Sequence, residues 1–100
     1  MIRIENLIGG DFVSPSEFFD DISPLDGTVI ATIPRTKDVE DAVAAAEKAQ
    51  SQWSGLSLLQ RCDWLDKIAD SLESQIDELA RLESLDTGKP HHVALNVDAD

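Results

Sequence analysis

Cys62 carries the one thiol in the chain and is the natural candidate for a covalent nucleophile. Arg61 precedes it and favours a thiolate. The residue also falls within an apolar helical stripe, and reactive cysteines need exposure and an electropositive setting. It therefore reads as a structural cysteine. His91 and His92 invite a metal. Adjacent helical residues point about 100° apart, so they rarely share one ion, whereas an i, i+4 pair does. No cysteine nearby completes a ligand set, and the pair reads as solvent-exposed or helix-starting. Lys89 could touch a phosphate. Without a glycine-rich phosphate loop it reads as a cation at the negative end of a helix. Trp53 and Trp64 read as packing anchors rather than substrate-stacking residues.

The composition narrows the partners. The 100 residues carry 8 Lys+Arg against 20 Asp+Glu, a formal charge of −12, with 42% apolar and 5% aromatic residues. That length suits at most one domain. A surface this acidic repels phosphate backbones and anionic lipid heads, which argues against nucleic acid and membranes as partners. The acids are dispersed and read as a solvated surface. One cysteine excludes an internal disulfide framework and any multi-cysteine metal site. The longest apolar run, Ala42 to Ala46, is far short of the ~20 residues that cross a bilayer. Glu5 and Gly9-Gly10-Asp11 interrupt any signal-peptide layout at the start. The expectation is a soluble, acidic protein of the cytoplasm.

The elements follow in two groups. Short strands are expected over residues 5–34. Leu7-Ile8 and Phe12-Val13 flank Gly9-Gly10-Asp11, where paired glycines suit a tight hairpin. Phe18 to Ile22 is a second strand candidate, followed by the turn Ser23-Pro24-Leu25-Asp26-Gly27. Thr28 to Ile33 is rich in β-branched residues, and Pro34 ends it. Helices are expected over 36–54, 57–73 and 75–87. Thr36 is read as the first N-cap, with Asp38, Glu40 and Asp41 at the positive end of the helix dipole. Val39, Ala42, Val43, Ala46, Ala49 and Trp53 share one face. Ser57 and Gln60 have capping-box spacing. Behind them Leu58, Cys62, Leu65, Ala69, Leu72, Ile76 and Leu79 form a seam at alternating 4 and 3 spacing, widened by Ile68. A second box-like pattern, Ser74-Gln75-Ile76-Asp77, predicts a break into two consecutive helices. Gly88-Lys89-Pro90 is a strong helix stop. Residues 91–100 read as the start of a truncated helix.

Such a short last helix is marginal in water, and two hairpin-like pieces make no independently stable sheet. The chain is therefore expected to be the opening portion of something larger. A competing reading is a self-standing acidic helical interaction module, in which the seam from Leu58 to Leu79 packs on a partner helix.

In this order the segments resemble the NAD(P)-dependent aldehyde dehydrogenase superfamily. Leu7-Ile8-Gly9-Gly10-Asp11-Phe12-Val13 resembles its opening hairpin. Ser23-Pro24-Leu25-Asp26-Gly27-Thr28-Val29-Ile30 is similar to its Asn-Pro-x-x-Gly-x-x-Ile segment. Ser23 replaces the usual Asn and can make the same local bond more weakly. The run from Asp38 to Ala46 looks like the next helix, leading to Trp53. Arg61 and Ile68-Ala69-Asp70 match the helix after it, and Glu83 to Pro90 match the Gly-Lys-Pro close.

The resemblance implies an α/β fold: the N-terminal hairpins and helices of a Rossmann-like cofactor domain, incomplete over residues 1–100. In the complete enzyme it implies a catalytic domain, an oligomerising β-arm and oxidation of an aldehyde to a carboxylic acid with NAD or NADP. Its partners would be the rest of its own cofactor and catalytic domains, an aldehyde and further copies in a homo-oligomer. The family's nucleophilic cysteine, general-base glutamate, oxyanion asparagine and core dinucleotide strands all lie downstream of the matching segments. Cys62 does not match the cysteine segment. The segment alone is thus expected to be inactive and to hold no cofactor. The resemblance also implies a monovalent cation held by the carboxylate of Asp86 and by backbone carbonyls of Asp21 and Ile22. Oxygen ligands with a carboxylate suit such an ion. A local bond from Asp86 to the backbone at Thr87 or Gly88 is the competing reading.

Overall fold

A computed structural model describes residues 1–98. Five short strands come first: β1 (Ile2–Arg3), β2 (Asn6–Ile8), β3 (Asp11–Val13), β4 (Phe18–Ile22) and β5 (Val29–Pro34). Helices follow: α1 (Val39–Gly55), α2 (Leu58–Ser74), α3 (Ile76–Thr87) and one turn, α4 (His91–Val93), which widens into a π turn over Ala94–Asp98. Residues 99 and 100 of the expected last helix lie outside the described residues.

Turn chemistry builds the strand region. Gly9 and Gly10 take φ of +61° and +87°, the left-handed pair a two-residue hairpin needs, and Ile8 faces Asp11 across it. The β4–β5 turn closes through Ser23 N–H to the Thr28 carbonyl at 2.8 Å and Gly27 N–H to the Ser23 carbonyl at 3.0 Å. Ser23 is buried, and its Oγ accepts from the Leu25 amide at 3.2 Å. The serine thus makes the local bond expected of it. Asp26 Oδ1 accepts from the Thr28 amide and hydroxyl at 3.0 and 2.7 Å. These donors, the hydroxyl foremost, hold the Asp26 carboxyl below its ordinary range.

In the larger sheet β5 is central, antiparallel to β4 and parallel to β1. Strand β1 has no sequence signal of its own. It is two residues long, and its partner lies about 30 residues away, with Ile2 beside Ala31.

The helix ends divide into those set locally and those set at a distance. Ser57 caps α2 through a complete box: the Gln60 amide donates to Ser57 Oγ at 3.1 Å, and the Ser57 amide to Gln60 Oε1 at 2.9 Å. Thr36 does not cap α1. Its hydroxyl is engaged by Asn6, whose Nδ2 donates to it at 2.9 Å, and the helix starts at Val39 behind Asp38 without a side-chain cap. The box pattern at Ser74 does not form either. The Ser74 hydroxyl and the Gln75 amide group both turn back to the Ser71 carbonyl, although the helix does break at Gln75. Gly88 ends α3 at φ +78°, its amide bonded to the Ser84 carbonyl at 3.0 Å.

The packing is thin. The molecule measures 49 × 36 × 15 Å, with a radius of gyration of 17.0 Å. A compact 100-residue domain has roughly 13 Å. Ala31, Pro34, Ala80 and Ala94 are the buried apolar residues among the described residues, and no large side chain is fully enclosed. Neither α1 nor α2 contains a buried residue. The seam forms at its expected positions but lies open: Leu65, Ile68 and Leu72 are each more than half exposed.

Candidate functional site

A bulge in β5, opposite the Asp21–Ile22 step of β4, lies at the one cluster of interest. Asp21 faces Ala31, but Ile22 faces Val29, so Ile30 has no opposite number. Bulges of this kind re-aim neighbouring side chains. Here the Asp21 side chain meets the last turn of α3, where Asp86 stands. Both line a cleft of about 270 Å³ between sheet and helix, walled by Ile2, Ile4, Ile33, Leu82 and Leu85.

The resemblance implies backbone carbonyls of Asp21 and Ile22 near Asp86; what the structure brings against Asp86 is the side chain of Asp21, 65 residues earlier. The nearby Asp86 carboxyl, first as a hydrogen-bonding partner and, after desolvation, as a like charge, holds the Asp21 carboxyl above its ordinary range. A shared proton between facing carboxyls is one answer to like charges at close range. A hard cation would be another, because oxygen donors are the ligands such ions prefer. Ile22 lies beside Asp21 at the bulge. Its side chain is half exposed, so any part it plays is through the backbone. Among the described residues, no group of three or more His, Cys, Asp or Glu is arranged for a metal ion.

The C-terminal end of α3 is held against the sheet by close contact. A Cβ on Gly88 would lie 3.2 Å from Pro24 Cγ and 3.6 Å from Leu25 Cδ2. The Ser84 hydroxyl donates to the Lys89 carbonyl and the Thr87 hydroxyl to the Glu83 carbonyl at 2.8 Å, closing the last turn.

The other chemical candidates stay apart from this cluster. Cys62 is exposed on α2, not packed as its seam position suggested, because nothing covers the seam. Arg61 does not activate it: Nη1 donates to the Leu56 carbonyl at 2.7 Å and the Ser54 carbonyl at 3.4 Å, closing the end of α1. Sequence reading could not anticipate that contact, since any solvated arginine has the same local signature. His91 and His92 begin α4 and are both exposed. Lys89 Nζ lies 4.0 Å from Glu83. Trp53 and Trp64 are each more than a third exposed, and Lys67 Nζ sits 4.5 Å above the Trp64 ring. For a dinucleotide the fit is poor. The five glycines lie in the hairpin, the β4–β5 turn, the end of α1 and the close of α3, none in a strand-to-helix phosphate loop.

Comparison with known proteins places the chain. The model of the aldehyde dehydrogenase family matches residues 12–100. A long-chain-aldehyde dehydrogenase of Acinetobacter is 43% identical over 96% of this chain and 20% of its own length. The structure of PnpE in complex with nicotinamide adenine dinucleotide superposes with a TM-score of 0.87 at 41% identity, over 92% of this chain and 20% of that one. A putative aldehyde dehydrogenase from Burkholderia cenocepacia gives 0.91 at 35% identity, over 99% of this chain and 21% of that one. The chain belongs to the aldehyde dehydrogenase family, and its fold is an incomplete mixed α/β domain of that type. It spans about a fifth of the length of the relatives it matches. Among the described residues, no helix is long and apolar enough to cross a membrane.

Proposed function

We propose that this chain is the N-terminal portion of an NAD(P)-dependent aldehyde dehydrogenase, supplying the outer strands and helices that frame the cofactor domain. The complete enzyme oxidises an aldehyde to a carboxylic acid, with NAD(P)+ accepting the hydride and water supplying the oxygen. The cofactor, the nucleophile and the general base belong to the remainder of that enzyme. By itself this chain oxidises no aldehyde and retains no dinucleotide. Its partners are the rest of the cofactor and catalytic domains and, through them, further copies in a homo-oligomer of the cytoplasm.

The observation that carries this reading is the superposition at a TM-score of 0.91 over 99% of the chain, against a relative almost five times as long. The bulge that sets Asp21 opposite Asp86 supports a structural role for the pair. In the complete enzyme the Asp86 carboxylate and the Asp21 and Ile22 carbonyls hold a monovalent cation, which pins the end of α3 to β4. A self-standing interaction module is less well supported, since such a module needs an enclosed interior, and α1 and α2 have none.

The test is a chimera in which this chain replaces the first fifth of the Acinetobacter relative. NAD-dependent oxidation of a long-chain aldehyde by the chimera, and none by the 100-residue chain with NAD, is the expected result. Turnover by the isolated chain, or a chimera that is folded but dead, refutes the reading.

A further inference from the structure

The sequence holds a single Asp-Gly step, Asp26-Gly27, and no Asn-Gly. It lies in the β4–β5 turn, where both residues are exposed. An Asp-Gly step is the most open to attack on its own side chain, because glycine sets no Cβ beside the amide nitrogen. Gly27 has room around it as well: a Cβ there would meet nothing within 4 Å.

The chemistry balances without a cofactor. The Gly27 nitrogen bonds to Asp26 Cγ. The amide proton, one carboxyl oxygen and a proton from solvent leave together as water, and a cyclic imide remains. Water then reopens the ring. Opening at the Asp26 main-chain carbonyl leaves Gly27 attached through Cγ, an isoaspartate of unchanged mass with one more carbon in the backbone.

The folded turn opposes the first bond. The Gly27 amide donates to the Ser23 carbonyl at 3.0 Å, so its nitrogen is committed elsewhere. Asp26 Oδ1 accepts from the Thr28 amide at 3.0 Å and the Thr28 hydroxyl at 2.7 Å, which tie the carboxyl to the residue beyond Gly27. Those bonds, the hydroxyl's foremost, also keep the carboxyl ionised, and a carboxylate resists nucleophiles. The Ser23 hydroxyl adds a lesser contribution. The Thr28 hydroxyl is thus the contact on which the protection turns, and a substitution removes it cleanly.

We propose that Asp26-Gly27 is a backbone modification site, an isoaspartate-forming step held closed by the Thr28 hydroxyl. Conversion proceeds from the opened turn, and its effect reaches past the turn. The added carbon breaks the match between the Ser23 amide and the Thr28 carbonyl, 2.8 Å apart in the intact chain. Pro24 and Leu25 of the same turn lie against Gly88, so the close of α3 is released with it.

Peptide mapping by mass spectrometry reads the change, since the isoaspartyl peptide elutes apart from its aspartyl form and the imide is lighter by one water. The 100-residue chain is aged at neutral pH beside a peptide of residues 22–33, whose lone turn is marginal in water. Position 26 should convert at least about tenfold slower in the chain than in the peptide. In the chain, Thr28→Val should accelerate conversion roughly 5–30-fold. Thr28→Ser keeps the hydroxyl and should change the rate less than about twofold. Thr28→Val in the peptide should likewise change it less than about twofold, because no fold holds the hydroxyl on the carboxylate there. Ser57→Ala weakens the start of α2 instead and should leave position 26 at the wild-type rate. A chain that converts as fast as the peptide, or a Thr28→Val chain no faster than wild type, overturns the proposal. So does equal acceleration by Ser57→Ala, or a peptide in which position 26 does not convert at all.

Discussion

Gly88→Ala should loosen the joint between α3 and the β4–β5 turn. Gly88 sits at φ +78°, and an L side chain in left-handed backbone costs roughly 1–2 kcal/mol. The new Cβ would also lie 3.2 Å from Pro24 Cγ, close enough that one of the two must give way by a few tenths of an ångström. Gly10→Ala isolates the first effect. It has φ +87° and nothing within 4 Å of the added carbon. About 1–2 kcal/mol of local destabilisation corresponds to a factor of roughly 5–30 in opening. Amide hydrogen exchange read by NMR on the 100-residue chain should therefore show the position-88 amide exchanging about 5–30-fold faster in Gly88→Ala. The Thr28 amide across the joint should follow. Gly10→Ala should accelerate only the β2–β3 hairpin. Gly88→Asn should recover part of the loss, because asparagine tolerates the left-handed region. A Gly88→Ala chain whose position-88 amide exchanges less than twofold faster, or a Gly10→Ala chain that loosens residue 88 equally, would refute the reasoning.

Three further outcomes are expected. Asp86→Asn removes the repelling carboxylate, so the Asp21 carboxyl should titrate lower, as a carbon-13 titration of the side chain would report. Because the folded-state pKa of Asp21 is raised, the pair destabilises the fold at neutral pH, and the penalty fades as pH falls through that raised value; a pair that stabilises more at pH 7 than at pH 4 contradicts this. Thr28→Val takes away the hydroxyl bound to Asp26, whose titration should move up toward an ordinary aspartate. The wild-type Asp26 contribution, fully present above the unfolded-state pKa, should be lost only as pH falls through the depressed folded value. Ser57→Ala breaks the capping box and should cost about 0.5–2 kcal/mol at the start of α2, visible as faster exchange of the Gln60 amide.

Local chemistry was readable in advance where donor and acceptor lie within a few residues. The Gly9-Gly10 hairpin, the Ser57–Gln60 box, the Ser23 turn and the glycine close at Gly88 all depend on side chains and backbone within one turn of each other. Reading failed where a distant group competed. Thr36 has the chemistry of an N-cap, yet Asn6, 30 residues earlier, engages its hydroxyl. Ser74 and Gln75 match a box by spacing, yet the preceding turn offers the Ser71 carbonyl first. Strand β1 exists only because β5 has an edge for it. The meeting of the Asp21 and Asp86 side chains is not legible in the sequence: the resemblance implies only the Asp21 backbone carbonyl, and no periodicity links residues so far apart. Cys62 was placed on the right stripe, but a stripe in sequence carries no information about what lies over it.

The parallel pairing of Ile2 with Ala31 has a bearing on how the molecule forms as it leaves the ribosome. β4 and β5 can zip together as soon as their short turn has emerged, and Gly9-Gly10 can fold back at once. Strand β1 must wait for β5 before it finds an edge, because distant contacts close later than near ones. The sheet therefore grows outward from its middle strand, and β1 is the last of its three strands to be woven in.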